Sequence, residues 1–294
     1  MFGATLTAMV TPFKDDMSLD LDGAQMLARY LVDNGNDGVV VAGTTGESPA
    51  LSHAEQIDLI DAVKQALPDN AVVAGVGSNN TAAALDLTER AAAVGADGLL
   101  HVTPYYNRPS QEGLREHFTT VSSATDLPVL LYDIPIRTGR KIGSDLLLDL
   151  LALPTVVGIK DAAGDPSETA DVIRRAEAEG LEVHVYSGDD SMTLPLLAVG
   201  AVGVIGVATH WAGAEMAEMI AAYSKGDVAL ARQINARLIP SYDYETGDLA
   251  PNPVPTKVMM NLLGVPVGRC RPPMGPIPAG VDEAAGVVLA GLDR

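Results

Sequence analysis

Residues 92–104 read AAVGADGLLHVTP: the end of a helix, a glycine, and then an apolar run. The same grammar returns as LVDNGNDGVVVAG at 31–43 and as LAVGAVGVIGVAT at 197–209. In each copy the glycine suits a left-handed helix C-cap, and the run after it fits a strand covered on both faces. Similar short runs lie outside the three copies: ATLTAMV (4–10), AVVAGVG (71–77), PVLLY (128–132), TVVGIK (155–160) and EVHVY (182–186). Together they make eight strands. Alanine- and leucine-rich segments with helical spacing of apolar positions separate them, at 20–34, 53–67, 81–94, 166–179 and 212–224.

Regular alternation of strand and helix implies parallel strands, and eight of them within residues 1–225 predict an α/β fold, a closed (β/α)8 TIM barrel. No Rossmann glycine fingerprint follows the first strand, which argues against an open doubly wound sheet. Residues 226–294 hold two or three further helical patterns and a proline-rich joint, RPPMGPIPAG, read as a C-terminal helical appendage.

Bulk composition narrows the function classes. The chain has 294 residues, is 47% hydrophobic, and carries 19 basic against 38 acidic side chains for a net charge of -19. No basic stripe offsets that charge, so nucleic acid and anionic membranes are poor partners. Cys270 is the single cysteine, the first residues lack the basic and apolar regions of an export signal, and no uninterrupted apolar span of about 20 residues exists. A cytoplasmic enzyme is the expectation.

In a barrel the chemistry gathers at the carboxyl ends of the strands. Those positions hold GTTGES after the second strand, TPYYNRP after the fourth, YDIPIRTG after the fifth, Lys160 at the sixth, SGDDS after the seventh and ATH after the eighth. His101, His184 and His210 lack the spacing of a metal site and read as packed histidines. GTTGES lacks the P-loop lysine, and Asp189 and Asp190 occupy a common barrel phosphate site, so a phosphorylated substrate is disfavoured. Glu47, Asp161 and Asp189 could pair for glycoside cleavage, but 4% aromatics leave few platforms for sugar rings.

Lysine is more informative. Of six lysines, Lys14 and Lys141 fall in loops, Lys64 and Lys257 in helical patterns, and Lys225 at a helix end, leaving Lys160 on a barrel strand. A snorkelling stem or a pair with Asp161 would explain it structurally. Desolvation there would instead favour the neutral amine, which attacks a carbonyl to form a Schiff base and needs no metal or organic cofactor. Tyr132, on the adjoining strand, is placed to shuttle protons. Thr44 and Thr45 offer hydroxyls among glycines, either for a carboxylate or for a tight turn before the second helix. Arg137 could fork onto a second carboxylate or form a surface ion pair.

GTTGES, TPYYNRPSQEG, YDIPIRTG and GIKDAAG, in this order and spacing, resemble the class I pyruvate aldolases related to N-acetylneuraminate lyase, and within them the dihydrodipicolinate synthase family. The resemblance spans roughly residues 4–265. It implies a homotetramer built as a dimer of dimers, no cofactor, and condensation of pyruvate with L-aspartate 4-semialdehyde on the way to diaminopimelate and lysine. Carried over by motif, Lys160 is the Schiff-base lysine, Tyr132 the proton shuttle, Thr44 the relay hydroxyl and Tyr106 a relay tyrosine supplied to a neighbouring copy. Thr45 would bind the pyruvate carboxylate, Arg137 that of the semialdehyde, and Gly188 and Ile205 would line the pyruvate pocket. The lysine-feedback site of sensitive members maps to Ser48, Pro49, Leu51, His53, Gln56, Asn79, Ala83 and Tyr105. Ala83 stands where those members place a glutamate, which implies weak inhibition. A 2-keto-3-deoxy sugar acid lyase and a non-catalytic keto-acid-binding protein are the alternatives.

Overall fold

Eight short runs are strands: β1 (Thr5–Ala8), β2 (Gly38–Val41), β3 (Ala71–Gly75), β4 (Gly98–Val102), β5 (Val129–Asp133), β6 (Val156–Asp161), β7 (His184–Ser187) and β8 (Gly203–Gly206). They join in chain order into a closed barrel, the predicted fold. Their residues are almost all buried, as strands covered on both faces must be. The computed structural model describes residues 2–247 and 249–292; residues 1, 248, 293 and 294, which the expected segments 1–225 and 226–294 include, lie outside the described residues.

Twelve helices are described: α1 (Leu21–Asp33), α2 (His53–Ala66), α3 (Thr81–Ala93), α4 (Gln111–Ser122), α5 (Pro135–Thr138), α6 (Ser144–Leu151), α7 (Pro166–Ala178), α8 (Thr193–Leu197), α9 (Thr209–Ser224), α10 (Val228–Thr246), α11 (Val254–Leu262) and α12 (Val281–Gly291). Six of their starts follow from short polar side chains that accept the first orphan N–H groups. Asp20, Asn80, Ser110, Asp165 and Asp227 cap α1, α3, α4, α7 and α10, and Ser52 with Glu55 forms a capping box on α2. The three repeat glycines follow α1, α3 and α8 at φ +96°, +86° and +111° for Gly35, Gly95 and Gly200. A side chain would strain the backbone there, which is why each copy of the grammar breaks its helix on glycine.

The chain divides into two compact bodies. The first, Met1–Val72 with Gly206–Arg294, holds β1 and β2 paired in parallel, together with α1, α2 and α9–α12. Here Trp211 is buried and its indole N–H donates to Ser241 Oγ at 3.1 Å, tying α9 to α10. The second, Val73–Ile205, holds β3–β8 with consecutive parallel pairing, and α3–α8. Among the described residues no helix is long and apolar enough to cross a membrane.

Candidate active site

A one-residue irregularity in β6 sets the geometry. Val129 pairs with Val156, but Leu130 pairs with Gly158, so Val157 is an extra residue. Beyond this bulge Tyr132 stands opposite Lys160, whereas an unbroken register would have put Ile159 there. Lys160 Nζ lies 4.5 Å from the centroid of the Tyr132 ring. Both residues are enclosed, at 4% and 5% exposure. Each sits one residue short of its strand's end, since Asp133 and Asp161 close β5 and β6.

Neighbouring groups hold this pair. The Thr103 N–H and hydroxyl both donate to Tyr132 O, at 2.9 and 3.1 Å, fixing the backbone beneath the phenol. Tyr186 is the β7 register partner of Lys160 and is fully buried. Gly188 follows β7, and its N–H donates to Asp161 O at 2.7 Å. A Cβ at Gly188 would come within 3.0 Å of Lys160 Cγ and Cε and 2.9 Å of Ala162 Cβ. The predicted pocket glycine is therefore the space through which the lysine stem passes.

Alternation along the strands sends Asp133 and Asp161 the other way. Asp133 is buried and accepts from Lys141 Nζ at 3.3 Å and from the Ile142 N–H. Burial pushes its carboxyl up to about 6, against the pull of Lys141. Asp161 accepts from the Ala163 N–H and the Thr169 hydroxyl. Together they anchor the segments after β5 and β6, including the one that carries Arg137.

Arg137 ends the short helix α5 and is exposed. Its guanidinium makes no hydrogen bond or ion pair among the described residues, so the surface ion pair considered for it does not form. Tyr106 is 90% exposed and holds a left-handed φ of 72°. A bulky residue there stores about 1–3 kcal/mol of strain. Bracing maintains it: Asn107 Nδ2 donates to Asn79 O at 2.8 Å, Arg108 Nε to Gly139 O at 2.8 Å, and Arg140 Nη2 to Arg108 O at 3.1 Å. The structure thus brings Lys160, Tyr132 and Gly188 together, keeps Ile205 fully buried on β8, and projects Tyr106 and Arg137 outward.

In the first body Thr44 and Thr45 follow β2, and Thr45 is buried. Asn252 Nδ2 donates to Thr45 Oγ1 at 3.0 Å. Glu47, two residues on, takes a left-handed φ of 57° and makes a 2.7 Å ion pair with Lys257 Nζ, both side chains being 2% exposed. Glu47 Oε2 also accepts the Arg271 N–H at 2.8 Å. Lys257 Nζ stands 4.2 Å from the centroid of the Phe13 ring and donates to Arg269 O. Arg271 donates to Met17 O, Ala50 O and Glu55. Glu47, weighed above as a glycosidic carboxylate, is therefore committed to structure. Lys257 escaped the sequence because a helical position does not reveal a charge buried against a distant acid. Burial and the adjacent Glu47 push the Cys270 thiol up to about 12. That makes it a poor nucleophile.

The three histidines weighed for metal are packed groups. His101 is fully buried against Thr88, His210 accepts the Val10 N–H and meets Val207 O, and His184 lies 3.3 Å from Glu182.

Comparison with known proteins places this geometry. Residues 1–289 match the dihydrodipicolinate synthetase family. The 4-hydroxy-tetrahydrodipicolinate synthase of Moorella thermoacetica is 50% identical over 274 residues, 93% of this chain and 92% of the relative. A dihydrodipicolinate synthase structure from Bacillus anthracis aligns with TM-score 0.95 at 40% identity, covering 100% of this chain and 99% of its own. Another from Cyanidioschyzon merolae, with lysine bound, aligns with TM-score 0.94 at 38% identity, covering 99% and 98%.

Proposed function

The chain belongs to the dihydrodipicolinate synthetase family, and on that premise we propose that it condenses pyruvate with L-aspartate 4-semialdehyde, the 4-hydroxy-tetrahydrodipicolinate synthase reaction of diaminopimelate and lysine biosynthesis. The observation that carries this reading is an enclosed amine, Lys160 Nζ, set 4.5 Å from the centroid of the Tyr132 ring.

The neutral amine adds to the C2 carbonyl of pyruvate and water leaves, giving an imine joined to Lys160. Once protonated, that imine draws electrons from the methyl carbon, which loses a proton and becomes the enamine nucleophile. The enamine carbon adds to the aldehyde carbon of the semialdehyde, whose oxygen takes up a proton. The semialdehyde's own amine then attacks the imine carbon, closes the ring and releases Lys160. Tyr132 carries protons in these steps, and Thr44 is the relay hydroxyl. Thr45 holds the pyruvate carboxylate, and Gly188 and Ile205 line the pyruvate pocket. Arg137 takes the carboxylate of the semialdehyde; a guanidinium left without a partner among the described residues suits that role better than it suits a polyhydroxylated chain. Tyr106, braced outward, serves a neighbouring copy within a homotetramer built as a dimer of dimers. The barrel of residues 1–225 and the helical region 226–294 work in the cytoplasm on small molecules alone.

Borohydride reduction in the presence of pyruvate tests the reading. It should add one reduced pyruvyl group to the peptide containing residue 160. Recovery of that peptide unmodified, with activity intact, would refute it.

A further inference from the structure

We propose that Asn252, with Thr256 behind it, is the positioning residue that commits the Thr45 hydroxyl to donating its proton, making the segment before α11 part of the subsite for the substrate carboxylate. The inference rests on the assignment of Thr45 to the pyruvate carboxylate and goes beyond it.

A hydroxyl has one proton and two lone pairs. Asn252 Nδ2 donates to Thr45 Oγ1 at 3.0 Å, so one lone pair is occupied and the proton is left for an acceptor. Asn252 Oδ1 in turn accepts from Thr256 Oγ1 at 3.3 Å, so both ends of the amide are engaged with its NH2 end toward Thr45. Thr45 and Thr256 are both buried and Asn252 between them is half-buried, so the Thr45 end of this chain is shielded from water. A buried hydroxyl whose proton is left over suits a hydrogen-bond acceptor, and a charged one such as a carboxylate gains most from it. Glu47 in the same loop would oppose an anion, but its carboxylate is paired with Lys257 at 2.7 Å and accepts the Arg271 N–H. The C-terminal region thus acts twice on the loop after β2: it orients one donor and neutralises one acid.

Asn252→Asp reverses the polarity while keeping the shape. Aspartate accepts the Thr45 proton and adds a negative charge where an anion binds. The expected result is a rise of about tenfold or more in the pyruvate KM, and in the pyruvate concentration for half-maximal borohydride trapping, with the semialdehyde KM unchanged. That rise should shrink as pH falls through the aspartate's titration, which a merely structural role would not produce. Thr256→Val, which loosens the amide without adding charge, should raise the pyruvate KM by a smaller factor, and serves if the aspartate variant does not fold. Equal shifts in both KM values, or an unchanged pyruvate half-saturation in Asn252→Asp, would overturn the inference. Failure of the unaltered chain to trap pyruvate at residue 160 would instead overturn the proposed reaction.

Discussion

Gly188 lies against the stem of Lys160, where a Cβ would meet both Cγ and Cε at 3.0 Å. Such contacts are tighter than nearly all real side-chain contacts, so a side chain here would press on the lysine stem and, at 2.9 Å, on Ala162 Cβ. Gly188→Ala should leave the barrel folded and displace the amine. Misplacing a reacting group by about 1 Å costs on the order of a hundredfold in rate. Single-turnover trapping with pyruvate and borohydride, compared with a thermal melt of the same variant, checks the claim; a near-normal trapping rate would contradict it.

Arg137 offers a guanidinium that is unpaired among the described residues. Losing a charge-assisted hydrogen bond costs about 1.5–3 kcal/mol, so Arg137→Ala should raise the semialdehyde KM by roughly tenfold or more. Trapping of pyruvate alone should not change. Steady-state kinetics in both substrates separate the two effects, and an unaltered semialdehyde KM would reassign the residue.

Ala83 in α3 carries no charge for an ammonium group. Inhibition by L-lysine should be weak or absent at millimolar concentration, and Ala83→Glu should introduce it. Initial rates across a lysine titration give the answer; sharp submillimolar inhibition of the unaltered chain would show that another group holds the ligand.

Lys257 and Glu47 are both 2% exposed, so removing either partner strands a charge in the interior. Lys257→Met should destabilise the chain by about 3–5 kcal/mol, whereas Lys257→Met with Glu47→Leu should recover most of the loss. Urea unfolding of the single and double variants tests this. A mild single variant would mean that the Arg271 N–H on Glu47 suffices.

Acid should unfold the protein early. Burial depresses His101 to about 3, helped by nearby His117, and depresses His117 and His210 to about 4. Groups with folded values below their unfolded value of about 6.5 give stability that is complete above that value and lost as pH falls. By pH 5 each costs about 2 kcal/mol. Asp133 runs the other way: its folded value of about 6 exceeds the ordinary aspartate value of about 3.9, so stability rises as pH falls through that window. One carboxyl returns only about 1 kcal/mol at pH 5, so the histidines win. Denaturant midpoints should therefore fall between pH 7 and pH 5; a flat profile would show that the imidazoles reach water.

Much of this was legible in the chain. Repeated helix–glycine–strand units specify a parallel barrel because capping, periodicity and continuous apolar runs act over a few residues, and Gly35, Gly95 and Gly200 take the left-handed conformation that this pattern requires. Lys160 was found the same way, as an amine on a buried strand, and four motifs identified its family.

Other features had no local sign. Nothing in TVVGIKD marks Val157 as the extra residue, yet that bulge decides that Lys160 rather than Ile159 faces Tyr132, since register depends on how β5 and β6 pack. Asn252 and Thr45 are 207 residues apart, and Arg271 and Glu47 are 224 apart. Charges and amides cannot find such partners through sequence spacing; only the folded chain, by excluding water around them, makes each pairing necessary.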